Sequence, residues 1–127
     1  MIFLNNHYFM EYNLEERTAR FAERVIEFVR NLPINEVTRR LIPQLIDSST
    51  SVAANYCEAN EASSPKDFRN KICIAKKEVH ESRLWLRLIG KAVPDKALQA
   101  KPLKQEAFEL TLIFSKIVQT LSLKQKD

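Results

Sequence analysis

The stretch "SPKDFRNKICIAKKEVHESRLWLRLIG", residues 64–90, decides the fold. Ser64 can accept a hydrogen bond from an open helix N-terminus, Pro65 suits the first helical position, and Asp67 complements the positive end of the helix dipole. Phe68, Ile72, Ala75, Val79, Leu86 and Ile89 then recur at spacings that gather on one face of a 3.6-residue helix. Gly90 reads as the C-terminal cap. The spacing therefore predicts a helix over residues 65–89 with one buried stripe.

Upstream, a helix over residues 36–62 opens after Asn35 and buries Leu41, Leu45, Val52, Tyr56 and Ala59. Pro43 lies inside that pattern and predicts a kink or a delayed start, because it lacks an N–H. The middle of this helix, "DSSTSVAANYCEA" (residues 47–59), carries unusually small and polar side chains. Gln44, Ser48, Ser51 and Asn55 fall on a line separate from the core stripe, with Glu58 next. Small side chains there let another helix approach closely, within the domain or between subunits; a solvated polar face is the alternative. The first helix, over residues 13–32, opens at Asn13 with Glu16 as capping-box partner and buries Leu14, Thr18, Phe21, Val25, Phe28 and Leu32. Beyond Gly90, "KAVPDKALQAKP" reads as a connector with a short helical turn after Pro94. Pro102 then opens a fourth helix, over residues 102–123, which buries Leu103, Ala107, Leu110, Phe114, Ile117 and Leu121. The tail "KQKD" should fray, and residues 1–12 read as an extension, with Met1 and Met10 both open as the translation start.

Four amphipathic helices in 127 residues with a single glycine point to one all-α domain, an antiparallel up-down-up-down four-helix bundle. So little glycine argues against barrels, sandwiches and Gly-rich phosphate loops. Cys57 and Cys73 lack metal-binding or C-x-x-C spacing and read as reduced thiols of a cytoplasmic protein. No apolar run reaches the ~18 residues of a membrane span, and the N-terminus lacks the basic start of a signal peptide.

The third helix has more than one marked face. Ile74, Trp85 and Leu88 form a second apolar set, with Leu84 further round. A helix in a monomeric bundle needs one apolar stripe, so this set, with Ser48, Ser51 and Asn55, is a candidate homo-oligomer interface. The alternative is a connector folded back over Trp85. On the opposite flank Arg69, Lys76, His80, Arg83, Arg87 and Lys91 align. From Pro65 to Lys91 this helix holds eight Lys and Arg against three acids, a larger excess than the net charge of +4 for the whole chain. Such a stripe suits the phosphate backbone of RNA or DNA without reading sequence; a solvated face is the alternative.

Catalysis finds little support. A di-metal bundle site needs inward Glu-x-x-His pairs, and the residue three before His80 is Lys77. Cys73 and His80 are separated by two turns, about 10 Å of rise, too far for a nucleophile and its base. No catalytic residue, metal or cofactor is expected.

The runs "SSTSVAANYCEA" (48–59), "SSPKDFRNKICIAKKE" (63–78) and "ESRLWLRLI" (81–89) resemble the four-helix-bundle proteins encoded by intervening sequences of bacterial 23S rRNA genes. Ser51, Asn55 and Glu58 match the signature of the family's second helix; Asp67, Phe68, Glu81 and Trp85 match its third. Pro43 departs from the pattern. The resemblance implies a homopentamer with a basic surface. It also implies kinship with the accessory variability determinant of diversity-generating retroelements, which binds nucleic acid and a reverse transcriptase and is not an enzyme. The combined expectation is a non-enzymatic, oligomeric bundle that binds RNA or DNA backbone, as an accessory to a reverse transcriptase or in association with rRNA intervening sequences. A protein-interaction bundle with no nucleic-acid role is the competing expectation.

Overall fold

The computed structural model describes residues 13–126; the extension with its two candidate start methionines lies outside the described residues. Helix α1 spans Leu14–Arg30, α2 Thr38–Asn60, α3 Pro65–Ala92 and α4 Ala97–Lys126, with a 3-10 turn at Pro94–Lys96 between the last two. The described residues contain no strand, and none of their helices is long and apolar enough to cross a membrane. Both cysteine thiols are free.

Local chemistry accounts for most of the ends. The Asp67 N–H donates to Ser64 Oγ at 3.1 Å, and Pro65 takes the first position of α3. Asn35 caps the next helix upstream: its Oδ1 accepts from the N–H groups of Val37 (2.9 Å) and Thr38 (3.0 Å), and its own N–H donates to Thr38 Oγ1. Thr38 Oγ1 donates in turn to the Pro33 carbonyl, so a buried threonine locks the corner between α1 and α2.

Four expectations are corrected. Asn13 and Glu16 form no capping box. Asn13 is left-handed, with φ of 45°, where its side chain makes no capping bond; a capping side chain ordinarily acts from extended backbone. Gly90 is not a cap: its φ is not positive, and α3 continues to Ala92, with the Val93 N–H donating to the Ile89 carbonyl at 2.8 Å. Pro102 does not open α4 but sits in its second turn, because the Pro94–Lys96 turn has already redirected the chain and Ala100 extends the buried stripe backwards. Of the two effects expected of Pro43, a kink or a delayed start, the delayed start is overturned: α2 starts five residues before it. Both prolines are exposed and each leaves one helical carbonyl without its N–H, at Arg39 and at Leu98. The helix ends otherwise fall within two or three residues of the periodicity, and α4 stays helical to Lys126 where fraying was expected.

The core is shared by all four helices. Phe21, Phe68 and Phe114 are fully buried, and the Tyr56 ring lies 6.3 Å from that of Phe114. Burying each such ring contributes about 2–3 kcal/mol before entropy is counted. Burial also pushes the Tyr56 hydroxyl up to about 12. The six core positions read from α3 are all sealed, and Ser82 joins them. Helix α3 lies between α2 and α4, while α1 touches α2 and α4. At the α1–α4 seam the Arg17 guanidinium donates to both oxygens of Glu106, at 2.8 and 2.9 Å, and to Glu109 Oε1 at 2.9 Å.

Candidate nucleic-acid interface

The seam between α2 and α3 explains the small polar residues of α2. Ser48 Oγ and Ser82 Oγ lie 2.8 Å apart, both buried, and the Ser82 hydroxyl also reaches the Glu78 carbonyl at 2.9 Å. Small side chains at both positions allow the helices to meet with the hydroxyls satisfied. Ser48 therefore belongs to a contact within the chain, which corrects its assignment to an oligomer interface. Asn55 spends its amide on the Ser51 carbonyl at 2.9 Å, and both residues are half-buried. Trp85 is also half-buried and packs on the core, whereas Ile74 (40%) and Leu88 (37%) remain exposed.

Helix α3 is divided electrostatically along its length. Towards α2 it carries Lys71, whose ammonium holds Glu58 at 3.0 Å, then Glu78 and Glu81. Burial, then the nearby Glu81 charge, pushes the Glu78 carboxyl above its usual range. Towards α4 it carries the basic stripe. Arg69 is half-buried and its Nη2 donates to Ser122 Oγ at 3.4 Å; its Nε is buried with no partner among the described residues. Half-buried Lys76 lines a cleft of about 470 Å³ with Ser115, Gln119 and Ser122 of α4. His80, Arg83 and Arg87 are exposed along a groove of about 710 Å³. Lys91 is exposed at the last turn of α3 and does not line that groove.

The groove has a second wall that the sequence reading missed. Lys101 and Lys104 of α4 face His80, Arg83 and Arg87, with Leu84, Leu98, Pro102 and Gln105 completing the lining. One turn beyond Lys104, Phe108 lies beneath Arg83, whose guanidinium carbon is 4.8 Å from the ring centre. Placing the start of the fourth helix at Pro102 left Lys101 in a connector and hid its register with Lys104 and Phe108. The signal that finds them is the continuation of the α4 core stripe back to Ala100, which makes residues 97–101 helical.

No carboxylate lines either cleft. The acids of α4 nearest in sequence, Glu106 and Glu109, turn to Arg17 on the opposite side of that helix. Arg83, Arg87, Lys101 and Lys104 enter no ion pair among the described residues, whereas Arg17, Arg30, Arg39 and Lys71 do. Four full positive charges thus line one groove uncompensated, among aliphatic side chains.

A crystal structure of a protein of unknown function from the S23 ribosomal protein family of Bacteroides thetaiotaomicron superposes with a TM-score of 0.74 at 29% identity, covering 83% of this chain and 97% of that one. No curated protein matches. The family model for the 23S rRNA-intervening sequence protein matches residues 11–116, which takes in α1 to α3 and most of α4. The chain belongs to the 23S rRNA-intervening sequence protein family.

Proposed function

We propose that this protein is a non-enzymatic nucleic-acid-binding bundle that grips RNA or DNA phosphates in the groove between α3 and α4. The observation that carries the reading is the groove's two cationic walls with no carboxylate among the residues lining it. Clustered Lys and Arg release counterions when they meet a phosphate chain, a large and sequence-independent source of affinity. The family's tie to an rRNA intervening sequence adds support for RNA. In this reading the helices run antiparallel, up-down-up-down; contacts such as Lys71 with Glu58 and Ser82 with Ser48 run in opposite order along α3 and α2. The subunits assemble as a homopentamer in the cytoplasm through the apolar face of Ile74 and Leu88. The rings of grooves so formed present nucleic acid to a partner such as a reverse transcriptase.

Charge reversal at Arg83, Arg87, Lys101 and Lys104 tests the groove. Fluorescence anisotropy with a labelled RNA should lose binding while circular dichroism keeps the helical signal. Undiminished binding by the quadruple variant sinks the reading. The competing reading, a protein-interaction bundle, draws on the exposed Ile74 and Leu88 and requires that no polyanion bind at physiological salt. Light scattering of Ile74→Lys with Leu88→Lys tests assembly: the variant should be smaller than the wild type.

A further inference from the structure

The groove does more than concentrate positive charge. Its lining is partly apolar: Leu84 and Leu98 join the cations there and are exposed (47% and 79%). Just beyond it, the Phe108 ring is 37% exposed and stacks with Arg83. A duplex offers phosphates on its outside and keeps its base faces stacked away, so it has nothing to place on these surfaces. A single strand exposes base faces, and exposed aromatic rings and guanidinium planes are where such bases stack.

We infer that the α3–α4 groove takes single-stranded nucleic acid, with phosphates on Arg83, Arg87, Lys101 and Lys104 and bases on Leu84, Leu98 and the Arg83–Phe108 pair. The inference rests on the nucleic-acid reading above and names its substrate class. The two clefts lie in line along α3 from Lys76 to Arg87. At about 1.5 Å per residue this is ~17 Å, the length of about five stacked nucleotides at ~3.4 Å each.

The test compares a labelled twelve-nucleotide oligouridine with a twelve-base-pair RNA duplex, at one salt concentration, on the full chain. The expected result is at least about ten-fold tighter binding of the single strand. Phe108→Ala should weaken the single strand about ten-fold and leave the duplex unchanged, with Phe108→Trp restoring binding. Leu98→Ser, at a position too exposed to matter for folding, should weaken the single strand about three-fold by the same logic. Equal affinity for both ligands, insensitive to Phe108 and Leu98, overturns this inference and leaves the phosphate reading standing. Binding of neither ligand overturns both. A glutamate-rich peptide with leucines at helical spacing that binds more tightly than the oligouridine and displaces it also overturns the inference, because the occupant is then an acidic protein segment.

Discussion

Replacing Lys101 and Lys104 with glutamine separates the groove from a general positive charge. Four full charges line it, Arg83 and Arg87 on α3 and the two lysines on α4. Each phosphate neutralised on a single strand contributes about −0.7 to the slope of log affinity against log salt, so four contacts give a slope of about −2.8. Between 50 and 200 mM salt that amounts to roughly a fifty-fold loss of affinity, and with two lysines removed the loss shrinks to about seven-fold. The two side chains are exposed and half-buried respectively and enter no ion pair among the described residues, so the substitution leaves the core untouched. Anisotropy titrations of labelled oligouridine at four salt concentrations measure the slope directly. A variant with the wild-type slope refutes the reasoning, whatever its affinity, since the α4 lysines then touch no phosphate.

Three further outcomes bear on the scaffold. Ser48→Ala and Ser82→Ala should each cost about 1 kcal/mol in urea unfolding, and the double variant should cost about 0.5 kcal/mol less than their sum, because one hydrogen bond is counted twice; strict additivity would mean that the hydroxyls do not meet. Arg17→Ala should cost about 2 kcal/mol, since it strands the largely buried Glu106 carboxylate, and Arg17→Lys should recover only part of it by losing the paired geometry; a thermal melt unchanged by Arg17→Ala contradicts this. Glu78 has a raised folded pKa, so the folded state binds its proton more readily than the unfolded state and stability falls as pH rises above the ordinary value of 4.5. Glu78→Gln should therefore raise the urea midpoint at pH 7, with the gain vanishing below about pH 4; a gain that persists in acid points to packing rather than charge.

The helical faces of this chain were legible because each is a repeating pattern of burial. The stripes of α1 and α3 could be read residue by residue, and Ser64 with Pro65 and Asp67 located the start of α3. The errors came where one residue type serves two purposes. Proline opens helices and is also tolerated within them on an exposed face, so Pro102 misplaced the start of α4 and half of the groove with it. Asparagine caps helices with its side chain and also adopts left-handed backbone: Asn35 does the first and Asn13 the second. The spacing of Ser48 left open whether its close contact lay within the domain or between subunits; pairing of its hydroxyl with that of Ser82 across a seam is a tertiary fact that no helical wheel contains. The cationic stripe of α3 was visible in sequence, but its opposition to Lys101 and Lys104 depends on how α4 lies beside it.

Gly90, the one glycine of the chain, meets no steric demand for glycine: a Cβ there would sit 3.8 Å from Ala97, an ordinary contact. Glycine inside a helix costs about 1 kcal/mol relative to alanine. The final turn of α3 is thus built weaker than its surroundings require, next to the tight corner that leads into Leu98 and Lys101. The consequence is one of local opening: this corner should come apart more often than the body of either helix, and its amide hydrogens should exchange with solvent ahead of their neighbours. Gly90→Ala should slow that exchange at residues 90–93 and leave the protection of Val79 unchanged. The groove residues Leu98 and Lys101 therefore follow a corner that should open ahead of the two helix bodies it joins.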